Sequence, residues 1–289
     1  MAYQFDWVDA FTTTPFGGNA CVVVHDADQV SLDDRMRLVR ETSLSECSFI
    51  VASEVADFGA RYYLAEREIL MAGHPTIATV ASMLSRGIVE DNSSFTLEVG
   101  AGVLPIEVKD GQITMTQAKP SFISDISPAS IARIYGLSAD DIVGTPQIVS
   151  TGTPFCIVVL KSKEAQKRAV LNEDALFMWR ATTDVVNADT MEPFLVTLGG
   201  EQGGDTFARL LLPAPMPPED PFTGSATGCM GAYLWENGLI PSPSFVAEQG
   251  NWMGRPGQAY VEVLGPPGGI EGVRVSGSGV VLMSGELKL

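Results

Sequence analysis

Two glycine-rich turns, each opening into an apolar helix, lie 151 positions apart in this chain of 289 residues. The first, Ala72-Gly73-His74-Pro75-Thr76, leads into Ile77 to Leu84. The second, Glu219-Asp220-Pro221-Phe222-Thr223-Gly224-Ser225-Ala226-Thr227-Gly228, leads into Cys229 to Trp235. A helix start leaves its first backbone N–H groups unpaired and carries the positive end of the helix dipole, which suits it to hold a small anion. One such device in each half of the chain predicts a duplicated two-domain enzyme, with a carboxylate-bearing ligand clasped between the halves.

The composition allows this and narrows the alternatives. At 45% hydrophobic residues there is material for a core in each half. Lys and Arg number 18 against 35 Asp and Glu, a formal charge of −17. Nucleic acid and anionic membrane surfaces both need a basic footprint, so neither is an expected partner. A small anion remains admissible, because a local nest of N–H groups outweighs the global field at contact distance. The four cysteines, Cys21, Cys47, Cys156 and Cys229, show no metal-ligand spacing. The first residues lack a charged and apolar leader pattern, and no apolar run approaches the ~20 residues that span a bilayer. The expectation is a soluble, cytoplasmic protein without a metal site.

Strand-like alternation through Tyr3, Phe5 and Val8 precedes the turn Thr12 to Asn19 and the buried run Ala20 to Val24. Ser31 to Thr42 has helical period, with Ser31 as N-cap. Tyr62 to Met71 reads as a strand running into the first turn, and Asp110-Gly111 as a hairpin. Lys119 to Pro128 reads as a linker, followed by a short helix from Pro128 to Tyr135. Glu164 to Phe177 reads as helix, and Asp184 to Asn187 and Phe194 to Thr197 as strands. Phe207 to Leu212 then leads to the second turn, and further strands follow its helix. The second half thus repeats the order of the first. Residues 1–120 form the expected N-terminal lobe, with 277–289 returning to it, and 121–276 the C-terminal lobe.

Several residues carry two readings each. Glu46, where the polar Ser43-Leu44-Ser45 becomes the apolar strand from Cys47, is either a desolvated general acid/base or a solvated strand-edge carboxylate. His74 is a neutral hydrogen-bonding imidazole or a cap-like polar residue. Asp220 is a site carboxylate or a turn cap, and Ser225 an anion-binding hydroxyl or the N-cap. Asn19, after two glycines, turns its amide to the same cleft or occupies a left-handed turn. His25 reads as a loop residue. A hydrolase elbow and a P-loop are excluded by spacing and by the absence of a lysine. Cys229 lies one turn into its helix, where burial competes with thiol activation.

Taken together, Phe16-Gly17-Gly18-Asn19, Leu44-Ser45-Glu46, Ala72-Gly73-His74-Pro75-Thr76, Glu219-Asp220-Pro221-Phe222-Thr223-Gly224-Ser225 and the late Gln249-Gly250 with Gly254-Arg255-Pro256 resemble the PhzF family of the diaminopimelate-epimerase-like fold. The resemblance implies an α+β fold of two similar lobes, each a β-barrel-like sheet around a central helix, and a homodimer. It also implies a cofactor-independent isomerase of a dihydro-hydroxyanthranilate, with Glu46, His74 and Asp220 as catalytic groups. Asn19, Gly73, Gly224, Ser225 and Thr227 are then the substrate-binding positions, for a small carboxylate. Met71 before Ala72 and Ala20 after Asn19 depart from the family pattern and bear on pocket shape. An amino-acid epimerase or racemase, and a non-catalytic small-molecule binder on the same fold, are the competing readings. A racemase with two facing thiols is disfavoured, since the first turn has no cysteine.

Overall fold

The computed structural model describes residues 1–182 and 190–289; the expected strand at Asp184 to Asn187 lies outside the described residues. The fold is mixed α+β, and its sheets repeat one plan twice. In the N-terminal lobe, Gly279–Lys288 pairs antiparallel with Ala2–Ala10, which pairs antiparallel with Asn19–Val24. The order continues through Cys47–Val51 (parallel), Phe58–Tyr63 (antiparallel), Ser93–Val99 (parallel), Gly102–Lys109 and Gln112–Gln117 (both antiparallel). In the C-terminal lobe the same senses recur through Ser121–Asp125, Ile142–Ser150, Pro154–Leu160, Phe194–Leu198, Thr206–Leu211, Ser244–Gln249, Gly257–Leu264 and Gly272–Gly277. Gln112–Gln117 pairs antiparallel with Gly272–Gly277 and stitches the two sheets together.

Each sheet wraps one buried helix, Gly73–Ser85 in the first lobe and Gly224–Glu236 in the second. Both are buried on every side over most of their length, and their sequences are dominated by apolar and small residues, as a helix enclosed by strands requires. Small residues let the strands come close: a Cβ at Gly231 would lie 2.9 Å from Val261 Cγ1. Ser31 caps the helix Leu32–Thr42 by accepting from Asp34 N, as expected. Asp110 and Gly111 both take positive φ in the hairpin that links Lys109 to Gln112. Among the described residues no helix is long and apolar enough to cross a membrane.

Three sequence expectations give way. The run Tyr62 to Met71 is not one strand: Phe58–Tyr63 turns back on the two-residue strand Glu68–Ile69, the turn closed by Leu64 N donating to Arg67 O at 2.9 Å. The expected linker contains the edge strand Ser121–Asp125, which pairs with Ile142–Ser150. The helical stretch from Glu164 breaks into Lys163–Arg168 and Glu173–Thr182, because Ala169 turns to extended backbone and Asn172 Oδ1 accepts from Ala175 N to begin the second helix.

His25 follows its strand in a bend, yet its side chain is buried. Its Nε2 meets Ser82 Oγ at 2.8 Å and Asp6 Oδ2 at 3.3 Å. Burial alone would raise the Asp6 carboxyl, but the bonds it accepts from Arg86, Ser284 and Ser82 outweigh that and hold it well below the usual range. This ionised cluster ties the far end of the first central helix to its sheet.

Candidate active site

The two central helices start against each other. A Cβ on Gly73 would lie 2.4 Å from the Gly224 carbonyl carbon, and one on Gly224 would lie 3.0 Å from Gly73 Cα. Only glycine lets the two backbones approach this closely. Neither start has a side-chain cap, the N-cap residues being Ala72 and Thr223. The cap-like readings of His74 and Ser225 are therefore corrected: each is the second residue of its helix, inside the first turn. Two positive helix ends converge on one place, where an anion would complete both.

Glu46 reaches this point from the other side. The helix Leu32–Thr42 stops at Ser43, which is left-handed, and the chain then enters the strand Cys47–Val51. The Glu46 side chain retains 15% exposure, and its Oε2 lies 3.8 Å from His74 Nδ1. Among the described residues, Glu46 Oε2 is buried without a hydrogen-bond partner, and so is His74 Nε2. Burial pushes the Glu46 carboxyl well above the usual range, and the charge of Asp220 adds to the rise. Burial lowers the His74 imidazole to about 3, so it is neutral at physiological pH.

Asn19 connects these groups. Its Nδ2 donates to Asp220 Oδ1 at 2.8 Å and to the Phe222 carbonyl at 2.9 Å, and contacts His74 Nδ1 at 3.1 Å. An amide nitrogen only donates, so this contact favours the tautomer with an unprotonated Nδ1, the two amide protons being shared among three acceptors. Asp220 Oδ2 accepts from Thr223 Oγ1 at 2.6 Å. Burial raises the Asp220 carboxyl to about 6, with the bonds from Thr223, Asn19 and Ser45 pulling against the rise. The site thus holds two buried carboxyl groups, and the charge of one, Asp220, raises the other, Glu46.

A cavity of about 320 Å³ opens in front of them, lined in part by Ser45, Glu46, Asp220, Thr223 and Ser225. Asn19 and His74 stand behind this lining, and Gly73 and Gly224 supply the backbone seam. Thr227 does not line it. It lies one turn further on, where its hydroxyl donates to the Thr223 carbonyl at 2.9 Å.

Four supporting residues had no role assigned from sequence. Ser45 and Thr223 bond Asp220, and Thr223 sits three positions after it, a spacing at which side chains close turns. Gln249 Nε2 donates to the Asp220 carbonyl at 2.8 Å, while its Oε1 accepts from Thr223 N at 3.0 Å. Arg255 crosses from the second lobe to the turn that delivers Asn19: it donates to Gly18 O (2.9 Å), Gly17 O (3.0 Å) and Asp9 Oδ1 (2.7 Å). Gln249 and Arg255 belonged to a recognisable motif, but only the folded contacts show what they hold.

Two uncapped helix starts facing a buried carboxyl across a lobe seam define a class of fold and site rather than a single protein. The profile of the PhzC-PhzF family, described as phenazine biosynthesis-like protein, matches residues 8–285, and the chain belongs to that family. It is 31% identical to the Bacillus subtilis (strain 168) protein named uncharacterized isomerase YfhB, covering 97% of each chain. It is 28% identical to the trans-2,3-dihydro-3-hydroxyanthranilate isomerase of Pseudomonas aeruginosa, over 99% of this chain and 100% of that one. Among solved structures, the Bacillus anthracis phenazine biosynthesis protein of the PhzF family superposes with a TM-score of 0.83 at 26% identity, covering 100% of both chains.

Proposed function

We propose that this protein is an isomerase that moves a proton between carbons of a small unsaturated carboxylate, with Glu46 as the group that takes the proton and returns it. The observation that carries this is the buried, unpartnered Glu46 Oε2 at the cavity between two uncapped helix starts. The names of its relatives as isomerases support the reaction class.

The chemistry follows from the geometry. The substrate carboxylate sits at the N–H groups of the helices beginning at Gly73 and Gly224. Ionised Glu46 removes a proton from a carbon of the unsaturated system; the electron pair of that C–H bond shifts into the double bond and toward the carboxylate. The proton on Glu46, or a solvent deuteron that has exchanged for it through the exposed part of the carboxyl, is delivered to the far carbon, so that the double bond moves and the composition is unchanged apart from that label. Raising a carboxyl from its ordinary range makes it a stronger base near neutral pH. The helix ends face the side of the cavity where charge develops, and the neutral His74 imidazole backs Glu46 from behind the lining. Asp220 adds to the basicity that burial gives Glu46 and, through Asn19, orients the imidazole.

The thiol-based epimerase has no such support. No cysteine lines the cavity, and burial pushes the Cys229 thiol up to about 11. Proton NMR in D₂O tests the proposal, using trans-2,3-dihydro-3-hydroxyanthranilate and simple unsaturated carboxylates. Deuterium uptake by the wild type is expected to fall by roughly 10²- to 10⁴-fold in Glu46→Gln with the fold unchanged. Uptake that survives the substitution intact would remove Glu46 from the role.

A further inference from the structure

The cavity in front of Glu46 has two unlike ends. The inner end is polar, with Glu46, Asp220, Thr223 and Ser225. The rest of the wall is mainly apolar, with Met71, Met191, Met216 and Leu212 and the exposed Leu70 and Ile123; Arg67, Ser121, Ser150 and Thr153 are its polar members. Leu70 is 54% and Ile123 47% exposed, large apolar side chains offered to water from opposite lobes of an acidic protein. Two hydroxyls on this wall are already engaged: Thr153 Oγ1 donates to Met71 O at 2.9 Å, and Ser150 Oγ accepts from Gly152 N at 3.2 Å.

The space does not end at the wall. Past Ser45, Arg67, Met191 and Met216, which both spaces share, it continues into a second cavity of about 860 Å³ along the segment Pro213 to Pro217. Among the described residues the other charges there are Arg40, Glu66, Arg180 and Glu192, of which Arg180 and Glu192 pair at 2.9 Å. With Arg67, the described residues there number three arginines and two glutamates, a mixture of signs rather than a basic patch.

A ring carrying polar groups around its whole edge would press some of them on thioether and alkyl surface, where an unpaired donor or acceptor is costly. An apolar extension would instead gain by leaving water, and methionine side chains adapt to varied shapes. We infer that the ligand is an amphipathic carboxylate. Its acid head lies at the helix starts beside Glu46, and an alkyl or aryl extension runs along the methionine-lined wall toward Leu70 and Ile123. The position of the head rests on the proton-transfer reading above; the apolar extension rests on the wall alone.

Calorimetric titration of the whole protein with straight-chain carboxylates from butanoate to octanoate tests this. Affinity is expected to rise about fourfold per added methylene. Placing a hydroxyl at the end of the longest chain is expected to remove at least tenfold, and Met216→Gln to flatten the series. Affinity that does not change with chain length in the wild type would overturn the inference. Glu46→Gln, titrated alongside, separates the two ideas. A steep series without Glu46-dependent deuterium uptake keeps the ligand class and discards the acid/base role, and a flat series with such uptake does the reverse.

Discussion

Shifted by 151 positions, the two lobes superimpose their helix starts residue on residue: Gly73 on Gly224, His74 on Ser225, Thr76 on Thr227, Ile69 on Asp220, Glu68 on Glu219. What holds the frame is the same in both. Arg209 pairs with Glu219 at 2.7 Å, and Arg61, on the corresponding strand, faces Glu68 at 3.8 Å. Thr76 Oγ1 donates to Ala72 O and Thr227 Oγ1 to Thr223 O, each closing the first turn of its helix. What carries the proposed chemistry is not repeated. Asp220 stands where the other lobe has Ile69, and His74 where the other has Ser225. The turn before Asn19 runs from Phe11 to Gly18, whereas its counterpart spans only Thr151 to Thr153. Duplication supplies two uncapped helix ends; divergence at a few positions around them makes one cavity with a direction.

The largest effect should come from removing the sharpest difference, the carboxylate at 220. Burial holds the Asp220 carboxyl at about 6, above its unfolded value, so the folded protein binds this proton more tightly. Asp220 therefore favours the fold most at low pH, and that contribution is lost as pH rises through about 6. Proton transfer runs the other way: ionised Asp220 adds to the basicity that burial gives Glu46, so deuterium uptake should fall as pH drops through about 6. In Asp220→Asn the limb near 6 should disappear, the remaining limb should move to lower pH, and the plateau should drop by roughly 10- to 100-fold, since a weaker base transfers protons more slowly. A pH profile of uptake for the two proteins decides it. An unchanged limb would mean that Asp220 does not set the ionisation of Glu46.

The repeat was legible because a glycine turn followed by an apolar helix leaves a mark in the sequence, and it occurs twice. The Ser31 cap and the Asp110-Gly111 hairpin were legible for the same reason: each depends on a local backbone preference. The strand Ser121–Asp125 was not, because an edge strand with most side chains outside the core has no strong alternation to read. Nor was the support around Asp220. Arg255 and Asp9 are 246 positions apart in the chain yet 2.7 Å apart in space, and no local pattern encodes that contact. Glu46 was identifiable as a candidate, but its choice between solvated and buried depended on how the second lobe closes over it.

The seam between the lobes offers a second, smaller contrast. A Cβ at position 73 would meet Gly224 C and Ser225 N at 2.4 Å, backbone atoms that cannot move without shifting a helix. At position 224 the nearest atom is Phe11 Cζ, at 2.7 Å, on a ring stacked against Phe222 at 4.2 Å. Overpacking of this kind costs about 1–3 kcal/mol. Gly73→Ala should lie at the upper end of that range and Gly224→Ala at the lower, compared by urea denaturation. Equal costs would show that the seam yields equally from either lobe.

The smallest effect tests the feature the lobes share. The Thr76 hydroxyl bonds both Ala72 O, at 2.6 Å, and the buried Tyr62 hydroxyl, at 2.8 Å, whereas Thr227 bonds Thr223 O and has Leu210 on the strand where the first lobe has Tyr62. Valine keeps the shape and removes the hydroxyl. Thr76→Val should therefore cost about 1–2 kcal/mol, and Thr227→Val about 1 kcal/mol or less, read as shifts in denaturation midpoint. Deuterium uptake gives the discriminating result. If Thr227 only closes its helix turn, Thr227→Val should leave the rate and the half-saturating carboxylate concentration unchanged. A weakened half-saturation at full stability would instead place the Thr227 hydroxyl on the ligand, and break the equivalence of the two threonines.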